Sequence, residues 1–279
     1  MPTIPQLFAH PHPVALVTGS GAARVGNGIA RHLAALGCRI VLHANSSIDE
    51  AEQTAIELRE AGTETLIVQG DLNASEGSAA TAGEPAVGVA ERIVAETVTA
   101  FGRLDVLVNS AAIWSPKRLE DVTADDLRRY FEINTLGSFM AAKAAGLQMV
   151  EQPTGGVIIN IGDWALVRPY LDHAAYFPSK GAIETMTRSL AVEFAERNRA
   201  VRVNCIHPGP VLLADDLSAE KRAAVTASTL VKRVGTPQHV AHAVQFLIEN
   251  DFVTGAAIPV DGGRTIYADD GLQTHHRIG

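Results

Sequence analysis

The stretch VALVTGSGAARVGNGIARHL, residues 14–33, reads as a strand, a glycine-rich turn and a helix. Val14–Val17 is a short apolar run, and Ile29, Leu33 and Leu36 then recur at helical spacing. Between them lie Thr18-Gly19-Ser20-Gly21-Ala22-Ala23-Arg24-Val25-Gly26-Asn27-Gly28. Glycines here let the backbone turn tightly and approach a ligand. The helix start then presents free N–H groups and a positive dipole end to a phosphate. Alone, such a loop can be a turn that only packs. After a first strand, in a chain that goes on alternating strands and helices, it points to a dinucleotide site.

The alternation does continue. Arg39–Leu42, Thr65–Val68, Leu104–Val108, Val157–Ile161, Val201–Ile206 and Ala256–Val260 are short apolar runs that read as strands. Helical stretches separate them at Ala51–Ala61, at Val87–Phe101, from Thr123 to about Val150 with an interruption allowed, from close to Tyr176 through Phe194, and from Thr236 through Ile248. This pattern gives an α/β fold in one domain, residues 14–263. Residues 1–13 read as a loose arm, 73–85 as a flexible surface insertion, 211–235 as a mobile substrate loop and 264–279 as a tail.

Composition narrows the function. The 279 residues are 47% hydrophobic and 19% charged, which is globular. A net charge of −8 without a basic run argues against nucleic acid or an anionic membrane as partner and leaves a small-molecule substrate. No run is apolar enough to span a bilayer, and the start lacks a secretory pattern, so the cytoplasm is the expected compartment. Cys38 and Cys205 have no metal-ligand spacing; two buried thiols are expected, and no metal.

A second stretch, DWALVRPYLDHAAYFPSK at 163–180, carries the chemistry. Tyr176 and Lys180 are four apart and share a face on a helix. Pro178 lies between them, and proline belongs in a helix only at its first turn, so the helix starts close to Tyr176. A free tyrosine has a pKa near ~10, and an ammonium alongside lowers it. The pair is therefore a candidate proton donor or acceptor for a reacting oxygen or nitrogen. Asp163 ends the Val157–Ile161 strand, where an open α/β sheet places its chemistry.

Other residues gather around the same strand ends. No acid follows the second strand to bind the ribose hydroxyls of NAD; His43-Ala44-Asn45-Ser46-Ser47 stands there instead. Ser46 and Ser47, with Arg24, could receive a 2′-phosphate, or be a helix cap and a solvated charge. Asp71, before Leu72, could accept from an adenine amino group or cap a helix. After the fourth strand, Asn109-Ser110-Ala111-Ala112 would let a cofactor lie close. Trp114 could stack on a planar substrate or pack under a loop. Asn134 is a polar residue in mid-helix.

Thr18-Gly19 with Gly26, Asp71, Asn109, Asn134, Tyr176-x-x-x-Lys180 and Pro208-Gly209 follow the order and approximate spacing of the short-chain dehydrogenase/reductase family. Val253-Thr254-Gly255 and Val260-Asp261-Gly262-Gly263 complete the pattern, and the chain resembles that family over residues 14–263. The resemblance implies a doubly wound Rossmann-type domain with a parallel sheet of about seven strands, a nicotinamide cofactor and a homotetramer. It implies that Tyr176 is the acid/base, that Lys180 lowers its pKa and holds the nicotinamide ribose, and that Asn134 helps hold a proton-relay water. The cofactor set is then Gly19, Arg24, Val25, His43, Asn45, Ser46, Ser47, Asp71, Leu72, Asn109, Ser110, Ala111, Tyr176, Lys180, Pro208 and Gly209. The substrate set is Arg24, Trp114, Asp163, Tyr176 and Gly209.

The departures from the family pattern resemble one branch, the pteridine reductases. Asp163 replaces the usual serine thirteen positions before the tyrosine, and Arg24 stands where a glycine is usual. Leu42-His43, Asp215-Asp216 and an aromatic residue at Trp114 agree with that branch; its phosphate-binding arginine near Ser46 is missing, and the first turn carries an extra residue. There the aspartate and tyrosine supply protons to ring nitrogens while NADPH delivers hydride. The expected function is an NADP(H)-dependent reductase of a C=N or C=O bond, with NAD(H) less favoured. The alternatives are a carbonyl, 3-oxoacyl or sugar-type reductase, and a non-catalytic cofactor sensor on the same fold.

Overall fold

Seven short strands rich in valine, isoleucine and leucine form one sheet: β1 Val14–Thr18, β2 Arg39–Ala44, β3 Thr65–Gln69, β4 Val106–Asn109, β5 Gly156–Ile161, β6 Val201–Pro208 and β7 Ala257–Val260. The structure, a computed structural model, describes residues 2–73 and 88–267; apart from Asn73 the expected surface insertion lies outside them, as does the tail after Tyr267. Every strand pair is parallel, in the order β3-β2-β1-β4-β5-β6-β7. Parallel strands have helices on both faces, which is why β1 and β5 are apolar and buried at nearly every position. The chain builds outward from β1 through β3, then returns to lay β4 on the other side of β1. The carboxyl ends of β1 and β4 therefore diverge, and a crevice opens between them.

The helices are α1 Ile4–Leu7, α2 Val25–Ala35, α3 Ile48–Glu60, α4 Val89–Phe101, α5 Ala124–Tyr130, α6 Ser138–Val150, α7 Tyr176–Arg197, α8 Ala219–Ala227 and α9 Pro237–Glu249. One core holds Ile29 and Leu33 of α2, Leu58 of α3 and Val244 and Leu247 of α9; the other holds Ile93 of α4, Met149 of α6 and Ile183 and Leu190 of α7. Cys38 belongs to the first core and Cys205 to the second, so the thiols lie on opposite faces, both free. Burial pushes each up to about 12. The interruption allowed before Val150 is real: a π-helical stretch, Phe131–Gly137, joins α5 to α6.

Two sequence expectations are corrected. Residues 1–13 are not a loose arm, because Ile4 and Phe8 are each 1% exposed and pack into the first core. α1 contacts α9, and Arg103 Nη2 donates to the Phe8 carbonyl at 3.1 Å. Residues 211–235 are not without regular structure, because α8 lies within them. Ser218 caps it by accepting from Lys221 N, but no residue of α8 is buried. A helix that buries no face leaves no apolar period to read.

Asp105, just before β4, is fully buried. Its carboxylate accepts from Val14 N at 2.8 Å and from Arg103 Nη2 at 2.6 Å, tying the start of β1 to the start of β4. Removing one partner of a buried pair leaves the other unpaired, so Asp105→Ala costs about 3–5 kcal/mol, read as a lower midpoint in urea unfolding. Among the described residues no helix is long and apolar enough to cross a membrane.

Candidate active site

β5 delivers Asp163 and α7 delivers Tyr176 and Lys180. The helix does begin at Tyr176, with Pro178 in its first turn, and both Tyr176 and Lys180 are buried. The Tyr176 hydroxyl donates to Asp163 Oδ2 at 2.7 Å, while Asp163 Oδ1 accepts from Ala165 N at 2.8 Å. Burial first, and the Asp163 carboxylate second, raise the tyrosine pKa above its ordinary value. Burial lowers the pKa of Lys180, and the charge of Asp163 pushes it back up. The ammonium donates to the Ile161 carbonyl at 2.8 Å.

Of the two roles expected for Lys180, the structure departs from the first, a lowered tyrosine pKa. The phenol bonds to a carboxylate, which disfavours the phenolate, and the lysine is turned to a backbone carbonyl. With a serine at position 163 the anion would be gone; the aspartate adds to the rise that burial already causes. Asn134, in the π-helical stretch, is fully buried. Its Oδ1 accepts from Ile113 N at 2.8 Å, and its Nδ2 donates to Ile113 O and Ser179 Oγ, each at 3.1 Å. Its side chain thus fastens the segment after β4 to α7.

A cleft of about 600 Å³ runs from the end of β2 past β1 and β4 to Tyr176. It brings together Gly19, Arg24, Val25, His43, Asn45, Ser46, Ser47, Asp71, Leu72, Ser110, Ala111, Tyr176 and Lys180 of the expected set. A dinucleotide needs a site of this order, and the turn is shaped for close approach. Gly19 has φ +65°, and a Cβ there would fall 2.7 Å from Ala111 Cα; one on Gly26 would fall 2.7 Å from the Gly19 carbonyl. These residues fit a nicotinamide dinucleotide, with the diphosphate at the turn and the start of α2.

His43 has a second task. Its Nδ1 accepts from Gly19 N at 3.1 Å, so Nε2 carries the proton and donates to Gly70 O at 3.0 Å. Burial lowers its pKa, and the bond to Gly70 partly offsets this. A neutral imidazole thus holds the glycine turn against the end of β3.

Some expected residues lie elsewhere. Asn109 is buried and not among the residues lining the cleft; its Nδ2 donates to Asn160 Oδ1 at 2.9 Å and to Ser138 O at 3.0 Å, which ties β4 to β5 and α6. Pro208 and Gly209 do not line the cleft; a Cβ on Gly209 would fall 2.5 Å from Asp261 Cα, so that glycine serves packing at the end of β7. Trp114 is outside it too: the indole is half exposed, stacks on His173 with centroids 4.7 Å apart, and donates through Nε1 to Tyr170 Oη at 3.1 Å. Asp163 is not among the residues that line the cleft, but its carboxylate meets Tyr176, which does line it. The Asp71 carboxylate accepts from Asn73 N at 3.0 Å.

Sequence reasoning missed Glu50, Arg129, Ile133 and Leu212, which also line the cleft. Glu50 sits in the first turn of α3, whose start the sequence reading put at Ala51, and it could have been found from the Ser47 cap position. Arg129 and Ile133 are four apart on α5 and the π-helical stretch, with no apolar period to set them apart.

The comparisons with known proteins agree with this geometry. Residues 21–265 match a family model described as enoyl-(acyl carrier protein) reductase. Versicolorin reductase 1 of Aspergillus parasiticus is 32% identical over 266 residues, covering 90% of this chain and 95% of the relative. Tetrahydroxynaphthalene reductase of Pyricularia oryzae is 31% identical over 283 residues, covering 94% and 93%. Among solved structures, a dehydrogenase/reductase from Sinorhizobium meliloti 1021 superposes with a TM-score of 0.79 at 30% identity, over 90% of this chain and 94% of that one.

Proposed function

The chain belongs to the short-chain dehydrogenase/reductase family of nicotinamide-dependent oxidoreductases, and from that premise we propose that it is an NADPH-dependent reductase of a pteridine-like substrate. The observation that carries the reading is the 2.7 Å bond from the Tyr176 hydroxyl to Asp163. Reduction of a ring C=N bond requires a proton on nitrogen, and two acidic groups stand together where most of the family has one. The cofactor, when bound, supplies the hydride. Tyr176 keeps its proton at neutral pH because burial and Asp163 disfavour the phenolate, so it is poised to donate. Asp163, a carboxylate while it accepts from the phenol, takes up a proton from solvent when the substrate nitrogen displaces the tyrosine and relays it to that nitrogen. Lys180, freed from the Ile161 carbonyl, holds the nicotinamide ribose, and the π-helical stretch around Asn134 helps hold the water that returns the proton. A homotetramer in the cytoplasm belongs to this proposal, and size-exclusion chromatography with light scattering tests the assembly.

For NADP over NAD the support is Arg24, Ser46 and Ser47 at the β2 end of the cleft. Among the described residues the Arg24 guanidinium makes no ion pair, and a 2′-phosphate would supply one. Arg24→Ala is expected to raise the KM for NADPH about tenfold, the worth of a charge-assisted bond of about 1.5 kcal/mol, with NADH little affected. Glu50→Gln removes a carboxylate from the same end and should lower it. Steady-state kinetics with both cofactors reads both.

A second reading, reduction of a carbonyl on an aromatic, oxoacyl or sugar-type substrate, is favoured by relatives named for versicolorin and tetrahydroxynaphthalene. The deciding experiment is NADPH oxidation with dihydrobiopterin, dihydrofolate and a panel of cyclic ketones, with NADH in parallel. Turnover of the pterins supports the first reading. Turnover of ketones alone replaces it with the second. Tight NADPH binding without turnover of either would favour the cofactor sensor.

A further inference from the structure

The strand end that carries Asp163 is held at three consecutive residues. Lys180 Nζ donates to the Ile161 carbonyl, Gly162 N donates to the Ile206 carbonyl at 2.8 Å, and Asp163 N donates to His207 Nδ1 at 3.1 Å. The second of these is ordinary sheet pairing, and the first depends on a lysine assigned above to the ribose. The third comes from a side chain with no role so far.

His207 is well placed to hold. Because Nδ1 accepts a backbone N–H, the ring proton is on Nε2, which lies 3.2 Å from Glu184 Oε2 on α7. A carboxylate behind the ring selects that tautomer; Glu184 is itself paired with Arg188. The opposite tautomer would set two N–H groups against each other at Asp163. The ring also fills the space beside the strand: a Cβ on Gly162 would fall 2.4 Å from His207 Nδ1, and Cys205 Sγ lies 3.8 Å from Nε2. The imidazole side chain is 12% exposed.

We propose that His207, held in its Nε2–H tautomer by Glu184, is a positioning residue for the reaction: it fixes the backbone of Asp163 and thereby aims the carboxylate at the Tyr176 hydroxyl. The proposal rests on the reading that Asp163 and Tyr176 supply the protons. With Nδ1 lost, the peptide between Gly162 and Asp163 is free to rotate, and a shift of about 1 Å in a reacting group is worth about 100-fold in rate.

The test has a spectroscopic arm and a kinetic arm. In the uniformly 15N-labelled protein, without cofactor or substrate, the His207 ring shifts should report an unprotonated Nδ1. Glu184→Ala should mix the tautomers and move the Asp163 amide resonance, whereas Glu184→Gln, which can still accept from Nε2, should do neither. In kinetics with dihydrobiopterin, His207→Ala should lower kcat by about 10- to 100-fold with the KM for NADPH within about twofold. His207→Asn, whose Oδ1 can accept the same N–H, should recover kcat to within about threefold of the native enzyme. A protonated Nδ1, an Asp163 resonance indifferent to Glu184→Ala, full activity of His207→Ala, or equal losses in the alanine and asparagine variants would each overturn the proposal. Should His207→Ala fail to fold, the shifts and the asparagine variant decide. Should the native protein turn over none of the substrates, the proposed function fails, and the spectroscopic arm judges the role of His207 on its own.

Discussion

Tyr176→Phe is expected to lower kcat by about 10²- to 10⁴-fold on every substrate the protein reduces, the range for loss of a positioned general acid. The change removes one oxygen and keeps the ring, which is buried in edge-on contact with Tyr130, 6.0 Å between centroids. The fold and the dinucleotide cleft should therefore be untouched, and NADPH affinity, read by quenching of protein fluorescence, should stay within about twofold. The variant also tests the charge account. With the phenol gone, Asp163 loses its partner at 2.7 Å and keeps Ala165 N. Undiminished kcat would show that the proton comes from elsewhere, and the assignment of Tyr176 as the acid would fall.

Asp163→Ser is expected to separate the two substrate readings. On dihydrobiopterin it should remove most activity, about 100-fold, because a serine hydroxyl, unlike a carboxylate, cannot take up a solvent proton and relay it to a ring nitrogen. On a ketone, which needs only the tyrosine proton, kcat should stay within about threefold. The same variant shifts the pH profile in a known direction. The Asp163 charge is one of the causes that raise the tyrosine pKa, so its removal lowers that pKa. Reduction requires the protonated tyrosine; its alkaline decline should therefore begin at lower pH in Asp163→Ser than in the native enzyme. An equal loss on pterins and ketones would remove the distinction on which the pteridine reading stands, and an unshifted alkaline limb would show that Asp163 does not govern the phenol.

The strands were readable from the sequence because parallel strands covered on both faces are mostly apolar: Val157–Ile161 has Asn160 as its one polar residue, and in Val201–Ile206 only Arg202 and Asn204 are polar. The cleft was readable for a related reason: Gly19 and Gly26 are required by close packing, and Tyr176 and Lys180 by helical spacing with Pro178 to set the phase. What escaped was of three kinds. Ile4 and Phe8 look like an arm because four helical residues show no period; only their partners on α9 reveal that they are core. α8 escaped because none of its residues is buried. The third kind concerns side chains whose direction is set by tertiary partners. Nothing local says that Lys180 turns to Ile161, that Asn109 is taken up by Asn160 and Ser138, or that Trp114 lies on His173. Types and spacings place a residue at the end of a strand; they do not say which way it points.

The docked N-terminal segment bears on how the chain is made. α9, which α1 contacts, leaves the ribosome more than two hundred residues after Ile4 and Phe8. At a synthesis rate of about 5–20 residues per second that interval is roughly 10–45 s. Throughout it, two large apolar side chains lack the α9 part of their core, so α1 is expected to settle only once α9 has been made. A nascent chain arrested before Thr236 should hold that segment open to proteases and to hydrophobic-binding chaperones, and release of the completed chain should bury it.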